Sequence, residues 1–251
     1  MSLGEHLIEL RKRLMRAAGA IVLGAIGGWF LYDPVWAALY DPIVRIAAAR
    51  GIDTAEVNLN YGTITGGFEQ HLQISIVVGL VISSPVWLYQ IFAFLVPGLT
   101  RKEKRYTFGF FFSAVPLFFA GCATGWFILP HIVELMASFI PAESTSLFDA
   151  RTYLDFVLKL VIASGIAFVL PVFLVLLNFV GVLSGRAILA GWRWAILAIT
   201  IFTAIVTPAA DVISMFLLAI PMIALYFIAV GIALLHDRRV AKRQAAFVGE
   251  S

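Results

Sequence analysis

The sequence predicts an all-α polytopic membrane protein with six transmembrane helices and both termini on one side. Three observations carry that expectation. Of 251 residues, 61% are hydrophobic and only 13% charged, with a mean hydropathy of +0.96, where a soluble domain carries about 25% charged residues. Apolar runs of about twenty residues recur, the length that a hydrocarbon core of roughly 30 Å demands. The cations, finally, collect at alternate ends of these runs.

The spans read as about 17–38, 72–96, 107–129, 154–181, 193–207 and 212–235, with boundaries loose by about two to four residues. Residues 1–251 form a single membrane domain that ends in a basic tail, 236–251. Its first apolar run leads on into five more, so it is expected to be a retained span rather than a cleaved signal. Asp33-Pro34 cuts that span near its outer end. Pro85 is expected to kink the second, where Gln90 faces apolar surroundings unless bonded. The fifth and sixth spans, joined by "TPAAD" (207–211), are expected to be short. At about 1.5 Å per residue, 193–207 reaches only about 22 Å, which calls for tilt, a thinned bilayer or sheltering neighbours. The connections 39–71 and about 131–152 lie on the outer side, the first long enough for an ordered cap.

Fourteen of the eighteen basic residues fall on one side, at the N-terminus, around 101–105, at Arg186 and Arg193, and in the tail. With the acids counted, the two sides sum to +9 and −6. The positive-inside rule then places both termini in the cytoplasm, and an even span count requires them to share a side.

Several chemistries find no support. No phosphate-binding glycine loop or H-E-x-x-H occurs, and one Cys cannot build a metal site or disulfide framework; no cofactor, metal or nucleic acid is expected. "ASG" (163–165) could suggest an intramembrane serine hydrolase, but His6, His71, His131 and His236 all lie at or outside span ends. Small residues there read as helix packing, as do Gly24/Gly28 and Gly121/Gly125. A small-solute secondary transporter is the alternative function, yet the spans hold few ionisable groups. Asp155 and Lys159 read as an i,i+4 pair near the outer end of the fourth.

Polar residues concentrate instead at the basic face. In "MSLGEHLIELRKRLMR" a capping box at Ser2 and Glu5 opens an amphipathic interfacial helix. Leu3, Leu7, Leu10 and Leu14 form its apolar stripe, opposite Glu5, Glu9, Lys12, Arg13 and Arg16. Arg11 projects beside Leu7 and so requires a partner. After Pro97-Gly98, Thr100 and Glu103 form a second capping box, placing Glu103 in a first helical turn among Arg101, Lys102, Lys104 and Arg105.

The stretches "HLIELRKRL" (6–14), "SPVWLYQIFAFLVPGLTRKEKR" (84–105), "FVLKLVIASGIAF" (156–168), "TPAAD" (207–211) and "LLAIPM" (217–222) together resemble the TatC family, the receptor subunit of twin-arginine protein translocation. The resemblance implies a non-enzymatic receptor and scaffold in the cell inner membrane. It binds paired-arginine signal peptides of folded precursors and is driven by the proton-motive force. It implies signal-peptide contacts at Glu9, Arg11, Glu103 and Arg105, supported by Pro85, Gln90 and Pro97. Single-span partners of the TatA and TatB types are implied to dock around Ile205, Val206, Pro208, Asp211 and Met215, and several copies to assemble in the bilayer. Arginine suits a carboxylate reader, because its planar fork bonds bidentately where Lys cannot. Two positions depart from the family pattern: Val169 stands where many members have an acid, and Gln73 where many have Lys.

Overall fold

The computed structural model describes residues 3–49, 64–95, 101–138, 150–207 and 212–249, without the side chains of 3, 46, 47, 49, 95, 101–108, 150 and 243–249. Every element among them is helical. In chain order these are α1 (Leu3–Phe30), α2 (Tyr32–Ala49), α3 (Gly66–Ile82), α4 (Ser84–Leu95), α5 (Arg101–Ser138), α6 (Ala150–Phe179), α7 (Gly185–Ala190), α8 (Trp192–Val206) and α9 (Val212–Gly249).

Segments of α5, α6 and α9 are each long and apolar enough to cross a membrane. The pairs α1/α2 and α3/α4 are so only jointly, each bent at a one-residue joint, by 71° and 57°. With the shorter apolar α8, these account for the six segments expected.

Proline explains both bends. Leu31 separates α1 from α2, and Pro34 lies in the first turn of α2, where its missing N–H costs nothing. Ser83 separates α3 from α4, and Pro85 opens α4 in the same way. The kink expected from Pro85 is thus a full break.

The amphipathic N-terminal segment runs without a break into the first span, as expected: α1 is one helix from Leu3 to Phe30. Two expectations need correcting. The sixth span is not short: α9 continues through the basic tail as one 38-residue helix. Asp155 does not pair with Lys159. Its Oδ1 accepts from Gln73 Nε2 of α3 at 2.5 Å, while Lys159 is exposed with no ion pair among the described residues. The half-buried Asp155 finds its donor on α3, while Lys159 one turn on faces outward. The residues expected to form the outer cap are helical as far as Ala49; 50–63 lie outside the described residues.

The helices α5 and α6 pack against each other at the centre. A Cβ added to Gly125 would sit 3.0 Å from Ser164 Oγ, and one on Gly165 would run into Phe118 and Cys122. Likewise Gly24 and Gly28 of α1 press on Gly79 and Ser75 of α3. Small residues at these positions let the backbones meet. Ser164 is fully buried and donates to the Leu160 carbonyl at 2.7 Å, so it is a packing residue, as expected.

Three apolar clusters follow the central pair. Leu39, Ile43, Ile74, Leu129 and Val157 join α2, α3, α5 and α6. Leu88, Phe92, Phe118, Val169 and Leu176 join α4, α5 and α6. Ile132, Leu160, Phe168, Leu218 and Met222 join α5, α6 and α9. Val169 is therefore a core residue against α4 and α5, and its apolar side chain suits that place.

Candidate functional site

The basic end of the fold gathers the residues expected to act. On α1, His6, Glu9 and Arg13 are half-buried, one turn apart on a shared face. That face meets α4: the His6 ring stacks on Phe94 with centroids 4.6 Å apart. Leu7, Leu14 and Met15 point the other way and are 63%, 65% and 66% exposed. Of the charged face, Glu9 and Arg13 thus meet the protein, while Glu5, Lys12 and Arg16 are exposed, as are Leu7, Leu10 and Leu14.

Glu9 makes a local ion pair. Arg13 donates to its Oε1 through Nη2 at 2.6 Å and Nε at 3.0 Å. Both bonds use one oxygen, so Oε2 accepts nothing among the described residues. Arg11 is exposed and has no ion-pair partner among the described residues, against the expectation that it would need one. The stripe beside it faces outward, so its guanidinium can reach the polar boundary instead of being buried.

Gln90 lies one turn before Phe94 on α4, and therefore on the same side of that helix. Its Oε1 is buried and accepts no hydrogen bond among the described residues. An orphaned acceptor of this kind costs about 1–3 kcal/mol in an apolar setting. The helix α4 packs against both α1 and α5. It ends at Leu95 and α5 begins at Arg101, so the first turns of α5, carrying Glu103 and Arg105, start close to where α4 stops. The chain thereby brings the backbone of Glu103 to the end of the fold that also holds Glu9 and Gln90. The side chains of Glu103 and Arg105 lie outside the description, as do Pro97 and the two capping residues Ser2 and Thr100. Glu103 stands in the first turn of α5, where the helix dipole favours a carboxylate.

The residues expected to meet partner helices divide. Ile205 is 78% exposed on α8, whereas Val206 and Met215 are half-buried and Val206 packs into the third cluster. Pro208 and Asp211 lie outside the described residues.

Two contacts escaped the sequence reading. The His6–Phe94 stack joins positions with no shared motif, and only the packing of α1 on α4 reveals it. Asp237, read as part of a charged tail, instead accepts from Asn178 Nδ2 at 2.8 Å and from the Gly185 backbone N–H at 2.7 Å. An Asn near the end of an apolar run and a lone acid among cations were the available signals.

Residues 5–221 match the family model TatC, "Sec-independent protein translocase protein". A TatC protein of Xylanimonas cellulosilytica is 45% identical over 98% of this chain and 88% of its own length. The TatCy protein of Bacillus subtilis is 30% identical over 98% of this chain and 94% of its own. A crystal structure of the twin-arginine translocase receptor TatC superimposes with a TM-score of 0.76 at 31% identity, covering 91% of this chain and 99% of that one.

Proposed function

The chain belongs to the TatC family of Sec-independent protein translocase proteins, and from that premise we propose that it is the receptor for twin-arginine signal peptides, reading paired arginines at its basic face. Glu103 is the principal carboxylate, and Glu9 the second. Arg11 and Arg105 line the site and, by repulsion, disfavour a peptide whose cations fall out of register. Pro85 and Pro97 support the site, and Gln90 supplies a neutral acceptor.

The observation that carries this reading is the placement of α4. It holds the half-buried face of α1, with Glu9, to the same end of the fold as the start of α5, with Glu103. Among the described residues nothing donates to Oε2 of Glu9 or to Oε1 of Gln90, and a guanidinium offers five N–H groups.

The basic face is the cytoplasmic one, with both termini there, and the membrane is the cytoplasmic membrane. The protein performs no catalysis. It assembles with further copies of itself and with single-span partners, for which the exposed Ile205 surface of α8 is a docking face, and export is driven by the proton-motive force. Val206 and Met215, with Pro208 and Asp211 between them in sequence, complete that face.

Glu103→Gln tests the assignment. It keeps the shape and removes the charge, which for a charge-assisted bond amounts to about 2 kcal/mol, or roughly thirtyfold in affinity. Photo-crosslinking of a twin-arginine peptide to the folded variant in membrane vesicles should be lost; undiminished crosslinking would reject Glu103 as the reader.

A further inference from the structure

The break between α3 and α4 sets the direction in which α4 runs toward the basic end. The Pro85 ring forbids an unbroken helix there, because it would meet the carbonyl four residues back. Proline does not dictate the angle, however. With Ser83 as a one-residue joint, the 57° bend is left to other contacts.

Trp87 supplies the directional ones. In a continuous helix the Leu80 carbonyl would accept from the Ser84 N–H. Here it accepts from the Trp87 indole N–H at 2.9 Å, with the Ser83 hydroxyl a longer second donor at 3.4 Å. The Trp87 backbone N–H meanwhile bonds the Ser83 carbonyl at 3.2 Å. One residue of α4 thus holds the last turn of α3 through its side chain and the joint through its backbone. Its ring also stands edge-on to Phe118 of α5, with centroids 5.3 Å apart at 87°. Phe118 is fully buried, so this contact is anchored in the core.

The angle matters because α4 is a lever. Its 12 residues reach about 18 Å, so a turn of about 10° at the joint moves the far end by about 3 Å. That end carries Phe94, which stacks on His6 of α1, and Gln90 lies one turn before it. A hydrogen bond needs its partners within about 2.7–3.2 Å, so a shift of that size disconnects a donor from its acceptor. The contacts of Leu88 and Phe92 with the apolar cluster are non-directional and permit such a turn.

From this geometry we infer that Trp87 is a positioning residue of the arginine-reading site. Its indole N–H fixes the angle of α4, and with it the register of Gln90 against Glu9 and Glu103. The inference rests on the receptor reading given above. Packing alone would require only a large apolar ring at this place; the N–H is what the Leu80 carbonyl uses.

The test compares two variants of the full chain in detergent, in a Cys122→Ser background. Trp87→Phe keeps a ring against Phe118 and removes the N–H, with Trp87→Met as the substitute if it does not fold. Phe118→Leu weakens the ring contact and leaves the N–H, and so controls for stability. Spin labels on Cys at Leu72 of α3 and Ile91 of α4, both exposed, bracket the joint. The wild-type background should hold one narrow distance, and Trp87→Phe should broaden it by about 2 Å. The same variant should bind a twin-arginine peptide about fivefold more weakly. Phe118→Leu should lower the thermal midpoint while keeping both the distance and the affinity. An unchanged distance distribution in Trp87→Phe, or an equal loss of affinity in Phe118→Leu, would overturn the inference. Failure of the wild-type chain to prefer a twin-arginine over a twin-lysine peptide would overturn the receptor reading instead, a result that the distance measurement cannot produce.

Discussion

Gln90 shows how a single residue can be read in two ways. A Gln beside apolar residues is a packing liability, and its buried Oε1 accepts nothing among the described residues. Replacing it with Leu should therefore raise the thermal stability of the purified protein, by about 1 kcal/mol once the desolvation cost is removed. If Gln90 meets the incoming guanidinium, the same variant should bind a twin-arginine peptide several-fold more weakly. A stability gain with unchanged peptide affinity would remove Gln90 from the site and leave it a structural residue. Glu9 invites the opposite comparison. Its i,i+4 pair with Arg13 is worth only about 0.3–0.5 kcal/mol, so an arriving arginine displaces it at little cost. Arg13→Gln should alter peptide affinity by no more than about twofold, read by the same crosslinking titration.

Among the elements, contact between helices is decided by small residues. Gly28 of α1 meets the Ser75 backbone of α3, and Gly121 of α5 meets Ser164 of α6, with no room for a Cβ. Gly28→Leu and Gly121→Leu should each destabilise the protein by about 1–3 kcal/mol or more, seen as a lower midpoint of thermal unfolding in detergent. Gly27→Leu, one residue away with open space at its Cβ, should be near neutral and serves as the control. The turn between α6 and α7 depends on a different device. Gly181 adopts φ +82°, the left-handed region that favours glycine, and Asp237 then holds the following Gly185. Asp237→Ala removes the acceptor of the Gly185 N–H and leaves Asn178 only its bond to the Leu183 carbonyl, and limited proteolysis should cut first between 180 and 185. The pairing of small residues at 163–165, Gly24/Gly28 and Gly121/Gly125 was legible because such spacing has one dominant use in apolar helices. The clamp at Asp237 was not, because an acid after an apolar run reads equally well as a solvated tail.

For the whole molecule, sidedness is the property with the widest consequences. In a Cys122→Ser background, Cys at Arg238 should react with a membrane-impermeant maleimide only from the cytoplasmic side, and Cys at Arg45 only from the opposite side. The reverse pattern would invert the proposed receptor face. The sequence by itself determined the class, the six apolar segments, the family and the cation asymmetry, because each follows from composition or from short contiguous motifs. It also drew attention to Glu103, an acid among cations at a helix start, and the family resemblance added Glu9. Tertiary structure alone decided that α1 turns Glu9 and Arg13 toward the protein, that His6 meets Phe94, and that Asp155 takes Gln73 rather than Lys159 as its partner. Helical periodicity sorts residues into faces, but in a bilayer hydrocarbon and protein core are equally apolar. Which face meets a neighbour is therefore settled only by the packing of helices distant in sequence.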